Sequence, residues 1–333
     1  MEKRRKIFAV CTTLILSLVQ VGFAPASDGP TYTLQVGHAT NEGHAYHIGM
    51  LHWDELLNEA SGGRIRLQIH PNATLGAERD LIEGLQLGTV DISLTASAPL
   101  VNFSMAFSVI DLPYMFPTIE DAFRVLDGEI GRELLDALKG TRIVGLGFWD
   151  NGYRHISNSK REIVHPADLQ GIKLRTMESE ICLDTFRAMN ANVMAMAYSE
   201  VYTALQQKTV DAQEGSIQNT YQAGMHEVQP YMSLTYHFYA PALVLMSQIT
   251  YDSMSPEDQK IILDTCEQAK IYQREVSRKN ELEAKRAMID YGVRFREDLD
   301  LGEWRAAVQK CYDKHSERIG VDLIRRIQDA IAK

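Results

Sequence analysis

Two arginines are the residues of this chain best suited to chemistry. Arg175 ends the alternating stretch GIKLRT (171–176), and Arg154 lies in WDNGYR (149–154), just past the apolar run RIVGLGF. A guanidinium presents a planar fork of N–H donors that matches a carboxylate bidentately, giving orientation as well as charge neutralisation. Either arginine alone reads first as a structural ion pair with one of the 44 acidic residues; the pair at strand ends is more suggestive. His38, His44, His47 and His52 form the other dense group. They lack the Cys partners and H-x-H spacing of a metal site, so the plainer reading is a helix start with half-exposed histidines. His38 stands apart, at the carboxyl end of the first expected strand, where open α/β sheets place ligands. No G-x-S-x-G, H-E-x-x-H, Walker A or G-x-G-x-x-G motif occurs.

The elements that must position these residues follow from hydrophobic period. Strands are expected at 32–39, 64–71, 89–97, from 141, at 171–176 and at 209–216, with helices at 51–63, 77–88, 119–140, 178–191 and 198–208. Ser199 is the expected N-cap of the last of these. Strands alternating with helices imply crossovers and a largely parallel sheet. VIDLPYMFP (109–117) carries two prolines and reads as a buried loop. Residues 255–292 form one unusually long helical pattern, with Ser255 and Pro256 as its start and Gly292 as its stop. The result is an α/β layout of two halves with a long helix crossing between them.

At 333 residues the chain can build two domains, and its formal charge of −10 excludes nucleic acid as a partner. MEKRRK followed by an apolar run and Ala24-Pro25-Ala26 reads as a signal peptide, 1–26, and hence export to a periplasm. Its removal takes four bases and one acid and deepens the charge to about −13. Cys182, Cys266 and Cys311 would remain, an odd number with no C-x-x-C, so buried small hydrophobes is the reading for all three.

GYRHISNSKREIVHPADLQGIKLRT followed by AYSEVYTALQQKTVDAQEGS resembles the solute-binding proteins of TRAP (tripartite ATP-independent periplasmic) transporters, dicarboxylate-binding-protein type. HPNATLGAERDLIEGLQLGTVDIS, DLPYMF and MSPEDQ extend the resemblance over essentially the whole mature chain. It implies a periplasmic-binding-protein-like fold: two α/β domains with a central cleft, crossing strands and a long bracing helix. The expected division is 27–151 with 241–279 as domain I, and 152–240 with 280–333 as domain II. It further implies no enzymatic activity, no cofactor, a small carboxylate ligand, small and large membrane permease subunits as partners, and a monomer.

The resemblance assigns the carboxylate-pairing arginine to Arg175, a second to Arg154, and a pocket aromatic to Tyr198. With Trp149, Gly215, Ser216, His38, Glu78 and Tyr239 these make the expected ligand-binding set, and no metal ligand is among them. Gly215 departs from the family, which carries Asn there, and Ala96 stands where sialic-acid binders carry a carboxylate. Those two departures argue against a polyhydroxylated sugar acid and for a mono- or dicarboxylate with an apolar or aromatic body against Trp149 and Tyr198. Two other functions use the same features: ligand sensing for a signalling partner, and metal-assisted catalysis through the histidines.

Overall fold

Two strands far longer than any the hydrophobic pattern suggests set the architecture. The computed structural model describes residues 32–332, so the signal-peptide segment lies outside the described residues. Its strands are β1 (Tyr32–His38), β2 (Ile65–His70), β3 (Ile92–Ala96), β4 (Ile143–Asn158), β5 (Lys173–Thr176), β6 (Asn192–Ala195), β7 (Ala212–Gly215), β8 (Tyr231–Ser247) and β9 (Arg294–Arg296). They form one nine-stranded sheet in the order β2-β1-β3-β8-β4-β7-β5-β6, with β9 against β8.

The sheet is mixed, which corrects the expectation of a largely parallel one. β1 pairs in parallel with β2 and β3, and β5 with β6 and β7, as crossover helices require. β8 runs antiparallel to β3 and β4, and β4 antiparallel to β7. Each long strand therefore serves both α/β halves. Residues 143–149 of β4 pair with the end of β8 that abuts β3, and residues 155–158 pair with β7. Register slips at Asp150/Tyr153 and Arg154/Ile156 interrupt the ladder midway, with Gly152 at φ +85°. Irregular pairing bends and twists a strand.

The long helix Pro256–Tyr291 spans both halves. Ser255 caps it by accepting the Asp258 N–H, Pro256 sits at its first position, and Gly292 ends it at φ +110°. Its first half buries Ile262, Cys266 and Ala269 with Trp53 and Trp149, and its second half buries Ala284 and Met288 with Met232, Leu234 and Val293. Gln273 ties it to the irregular strand: Asp150 N donates to Gln273 Oε1 (2.8 Å) and Gln273 Nε2 donates to Asp150 O (2.7 Å). Cys182, Cys266 and Cys311 are free and buried.

Other differences are local. The expected helix 119–140 is two, Ile119–Leu126 and Glu129–Asp136, broken where Gly128 turns the chain. The first helix begins earlier, at Ala45, because the His44 ring caps it by accepting the Tyr46 N–H. Ser199 is no cap: it lies inside the 3-10 turn Tyr198–Glu200, which leads into the helix Val201–Gln206. Residues 110–116 form a largely buried turn-rich loop, and Pro117 emerges at the surface.

Candidate functional site

A small, partly enclosed cavity opens where the carboxyl ends of β1, β3 and β5 meet the irregular middle of β4. It is lined by Ala39, Thr40, Tyr46, Glu78, Ala96, Asn151, Arg154, Arg175, Met177, Tyr198 and Asn219. Strand ends converge there because crossover connections leave all parallel strands pointing their carboxyl ends at one crevice.

Arg175 is buried, and its only protein acceptor among the described residues is a carbonyl: Nε and Nη2 both donate to Met196 O (2.9 and 2.6 Å). No carboxylate among the described residues lies within ion-pair distance. Burial depresses the guanidinium below its ordinary pKa, while Glu214 and Glu78 pull it back up. A cation held dry without a counter-ion is costly, and an anion entering the cavity would relieve that cost.

Arg154 differs. Its Nε lies 2.5 Å from Glu214 Oε2, and Nη2 donates to Glu214 O and Oε1 (2.7 and 3.1 Å). Glu214 also accepts Thr176 Oγ1 (3.0 Å), the Met177 N–H (3.3 Å) and His237 Nε2 (3.2 Å). One buried carboxylate thus joins β4, β7, β8 and the end of β5. Burial alone would raise it, but Arg154 and His237 hold it well below the usual carboxylate range.

Across the cavity, Glu78 opens the helix Glu78–Leu87 and accepts the Ala96 N–H at Oε1 (2.7 Å), and burial raises its carboxyl. Tyr198 donates its hydroxyl to Asn219 O (3.1 Å). Asn219 Nδ2 donates to Asn151 Oδ1 (3.1 Å), and His44 Nε2 donates to Asn219 Oδ1 (2.5 Å). The Tyr46 hydroxyl is buried with no hydrogen-bond partner among the described residues. Buried polar groups are normally satisfied, so an orphan hydroxyl on a cavity wall is an open hydrogen-bonding position.

Of the expected set, the structure brings together Arg175, Arg154, Tyr198 and Glu78. Trp149 is elsewhere: fully buried in the apolar core, edge-on to Trp53 and packed with residues of the long helix. Tyr239 also points away, donating to Asp150 Oδ1 (3.0 Å) and packing against Phe116 and Phe123. His38 is buried behind Thr40, 3.1 Å from His47 and 3.0 Å from Thr40 Oγ1, and Ser216 caps the helix Ile217–Gln222. His38 and His44 are thus wholly buried, not half-exposed. Gly215 sits beside the wall; a Cβ there would meet Gln213 Oε1 at 3.0 Å and Arg154 Nη2 at 3.8 Å. Tyr46 and Asn219 were not anticipated, whereas Asn151 lies inside the stretch 149–154 that follows the strand RIVGLGF. Thr40 and Met177, one or two residues beyond strands, were within reach of the strand-end rule.

A mixed sheet with two strands shared between its α/β halves, and a buried arginine with no ion-pair partner among the described residues lining the crevice between them, fits a receptor for a small anion. The chain belongs to the bacterial extracellular solute-binding proteins, family 7 (DctP), whose profile matches residues 36–318. It is 34% identical over 268 residues to the 2,3-diketo-L-gulonate-binding periplasmic protein YiaO of Escherichia coli, covering 80% of this chain and 82% of that one. A TRAP periplasmic solute-binding protein from Polaromonas sp. JS666 bound to D-erythronate superposes with a TM-score of 0.87 at 33% identity, over 89% of this chain and 98% of that one. The sugar-acid-binding protein DctPAm of Advenella mimigardefordensis with galactonate gives 0.89 at 30% identity, over 92% and 99%.

The protein is a TRAP-type solute-binding receptor for a small organic acid, working with a membrane permease, and not an enzyme. Proteins of this type are periplasmic. Among the described residues no helix is long and apolar enough to cross a membrane.

Proposed function

We propose that the solute is a small hydroxyl-bearing carboxylate, an aldonate-like acid, with Arg175 taking its carboxylate and Glu78 and Tyr46 taking its hydroxyls. The observation that carries this reading is that one cavity brings together a buried arginine with no ion-pair partner among the described residues, a buried carboxylate, and a hydroxyl with no hydrogen-bond partner among them. Glu78 gives one oxygen to Ala96 and keeps the other for a hydroxyl donor, whereas a second ligand carboxylate would meet it as a like charge. Thr40 and Asn151 add polar lining. This replaces the expectation of an apolar or aromatic body, which leaned on Trp149 as a wall. The galactonate and D-erythronate bound by the two similar structures support the same class.

Binding acts through closure. The cavity takes Glu78 and Tyr46 from one half and Arg175 and Tyr198 from the other, so a solute touching both favours the closed state by its extra affinity for it. Shifting the population from 1:99 to 99:1 takes about 5.5 kcal/mol. We divide the halves as 27–151 with 241–279 and 152–240 with 280–333. The receptor is read as an exported monomer, cleaved after Ala26, that delivers to small and large permease subunits.

Thermal shift against an organic-acid panel tests the solute class, because a ligand at 100 times its Kd stabilises by about 2.7 kcal/mol. D-Erythronate or D-galactonate is expected to raise the melting temperature and succinate to leave it unchanged. A shift with succinate alone would overturn the class.

A further inference from the structure

The long helix reaches the cavity wall through one side chain. Glu281 accepts the backbone N–H of Ile217 at Oε1 (3.3 Å) and of Gln218 at Oε2 (2.8 Å), the first two residues of the helix Ile217–Gln222. One residue further, Asn219 carries the contacts to Tyr198, Asn151 and His44 that build the cavity wall. Gln218 reinforces the junction, donating to Ser277 Oγ (3.4 Å) on the long helix and accepting the Ala45 N–H (3.4 Å). On its other side Glu281 lines a second, open cavity beneath the crossing strands, with Asp150, Tyr153, His155 and Tyr236. That space gives water access to the carboxylate and leaves the helix start room to shift.

We infer that Glu281 is a positioning residue for solute binding: ionised, it pins the turn that holds Asn219, and protonation releases that turn. An ionised carboxylate accepts at both oxygens, as both amides here require. A carboxylic acid keeps one good acceptor and presents an O–H toward the other amide, which cannot accept it. Burial raises the Glu281 carboxyl to about 7, against the pull of the two N–H bonds, so the change falls in the neutral range.

The charged and titratable groups facing Glu281 are Asp150, Tyr153 and His155 from β4, Tyr236 from β8, Glu120 from the helix Ile119–Leu126, and Arg278 and Lys285 from its own helix. Asp150 raises it and Lys285 lowers it. Burial keeps His155 far below its ordinary range, hence neutral, while Asp150 is a buried carboxyl also raised by burial and is the competing source of any pH effect.

Amide hydrogen exchange on the purified, unliganded protein tests this without a solute, with rates corrected for intrinsic exchange. In the wild type, Ile217 and Gln218 should lose about tenfold protection between pH 8 and pH 5.5, the scale of one charge-assisted hydrogen bond. Glu281→Gln should lower protection at pH 8 and flatten the profile, while Glu281→Asp should keep a pH step. A wild-type profile in Glu281→Gln would overturn the inference and move the titration to Asp150.

The inference extends the solute reading, and a second arm joins them. D-Galactonate affinity by calorimetry should weaken about tenfold over the same pH interval in the wild type and stay flat in Glu281→Gln. If D-galactonate fails to bind either protein, the solute class is at fault and the exchange profiles still decide the role of Glu281. If it binds with the same pH dependence in both, the coupling to the cavity is refuted.

Discussion

Arg154 and Arg175 line the same cavity, but only Arg154 is matched by a carboxylate, with its Nε 2.5 Å from Glu214. Among the described residues, Arg175 donates only to the Met196 carbonyl. The two guanidiniums therefore have opposite thermodynamic signatures: one is already compensated by the fold, and the other waits for the solute.

Arg175→Ala should weaken solute affinity by about 30- to 1,000-fold, the loss of about 2–4 kcal/mol from a dehydrated charge pair. Arg175→Lys should fall between, since an ammonium cannot form the bidentate contact. The unliganded protein should melt no lower than the wild type, because the variant removes an uncompensated buried charge. Calorimetry and thermal melting on the same samples check both halves. Wild-type affinity in Arg175→Ala would remove it from the site.

Arg154→Ala should instead destabilise the unliganded fold by about 3–5 kcal/mol, because Glu214 stays buried with its charge uncompensated. The family resemblance, which makes Arg154 a second ligand arginine, leads instead to the expectation of a loss of solute affinity, smaller than for Arg175→Ala but clear. Denaturant unfolding without solute distinguishes the two, and an unchanged midpoint would contradict a structural role for the pair.

Acid should destabilise the protein through His38 and His44. Burial lowers their pKa values to about 3 and about 4, from 6.5. The unfolded chain takes up protons below pH 6.5 that the fold refuses, so the stability they contribute is full above 6.5 and is lost as pH falls toward 4. For His44 the loss is about 2 kcal/mol at pH 5. His44→Asn keeps a capping side chain and should make the melting temperature less sensitive between pH 7.5 and 5; an unaltered pH dependence would rule His44 out.

Gly49→Ala should separate the first helix from the long one. A Cβ at Gly49 would sit 2.7 Å from Gln273 Cγ and 2.8 Å from Trp149 Cζ3, where there is no room. Overpacking of this kind costs about 1–3 kcal/mol, and here it also disturbs the Gln273 side chain that grips Asp150. The melting temperature should drop, and exchange at the Asp150 amide should rise. A neutral substitution would mean that the contact is loose.

Some of this was legible in residue order. Ser255-Pro256 and Gly292 bound a helix whatever surrounds it, because capping and left-handed backbone are local requirements. The alternation of β1, β2 and GIKLRT, and the strand-end rule that singled out Arg175 and Arg154, are also local. The span of β8 was not legible: YMSLTYHFYAPALVLMS is buried on both faces for much of its length and has a proline, so it shows no strand period.

What the sequence by itself determined is which residues can carry an anion and which elements present them, since donor geometry, periodicity and capping are properties of short stretches. Only the tertiary structure decided which arginine is free. Glu214 lies 60 residues from Arg154 and 39 from Arg175 in sequence, and the register of β7 against β4 delivers it to Arg154. The same long-range pairing sent Trp149 into the core and brought Tyr46 and Asn219 to the cavity. Partner choice in a folded chain depends on distances across the sheet, and spacing along the chain does not encode them.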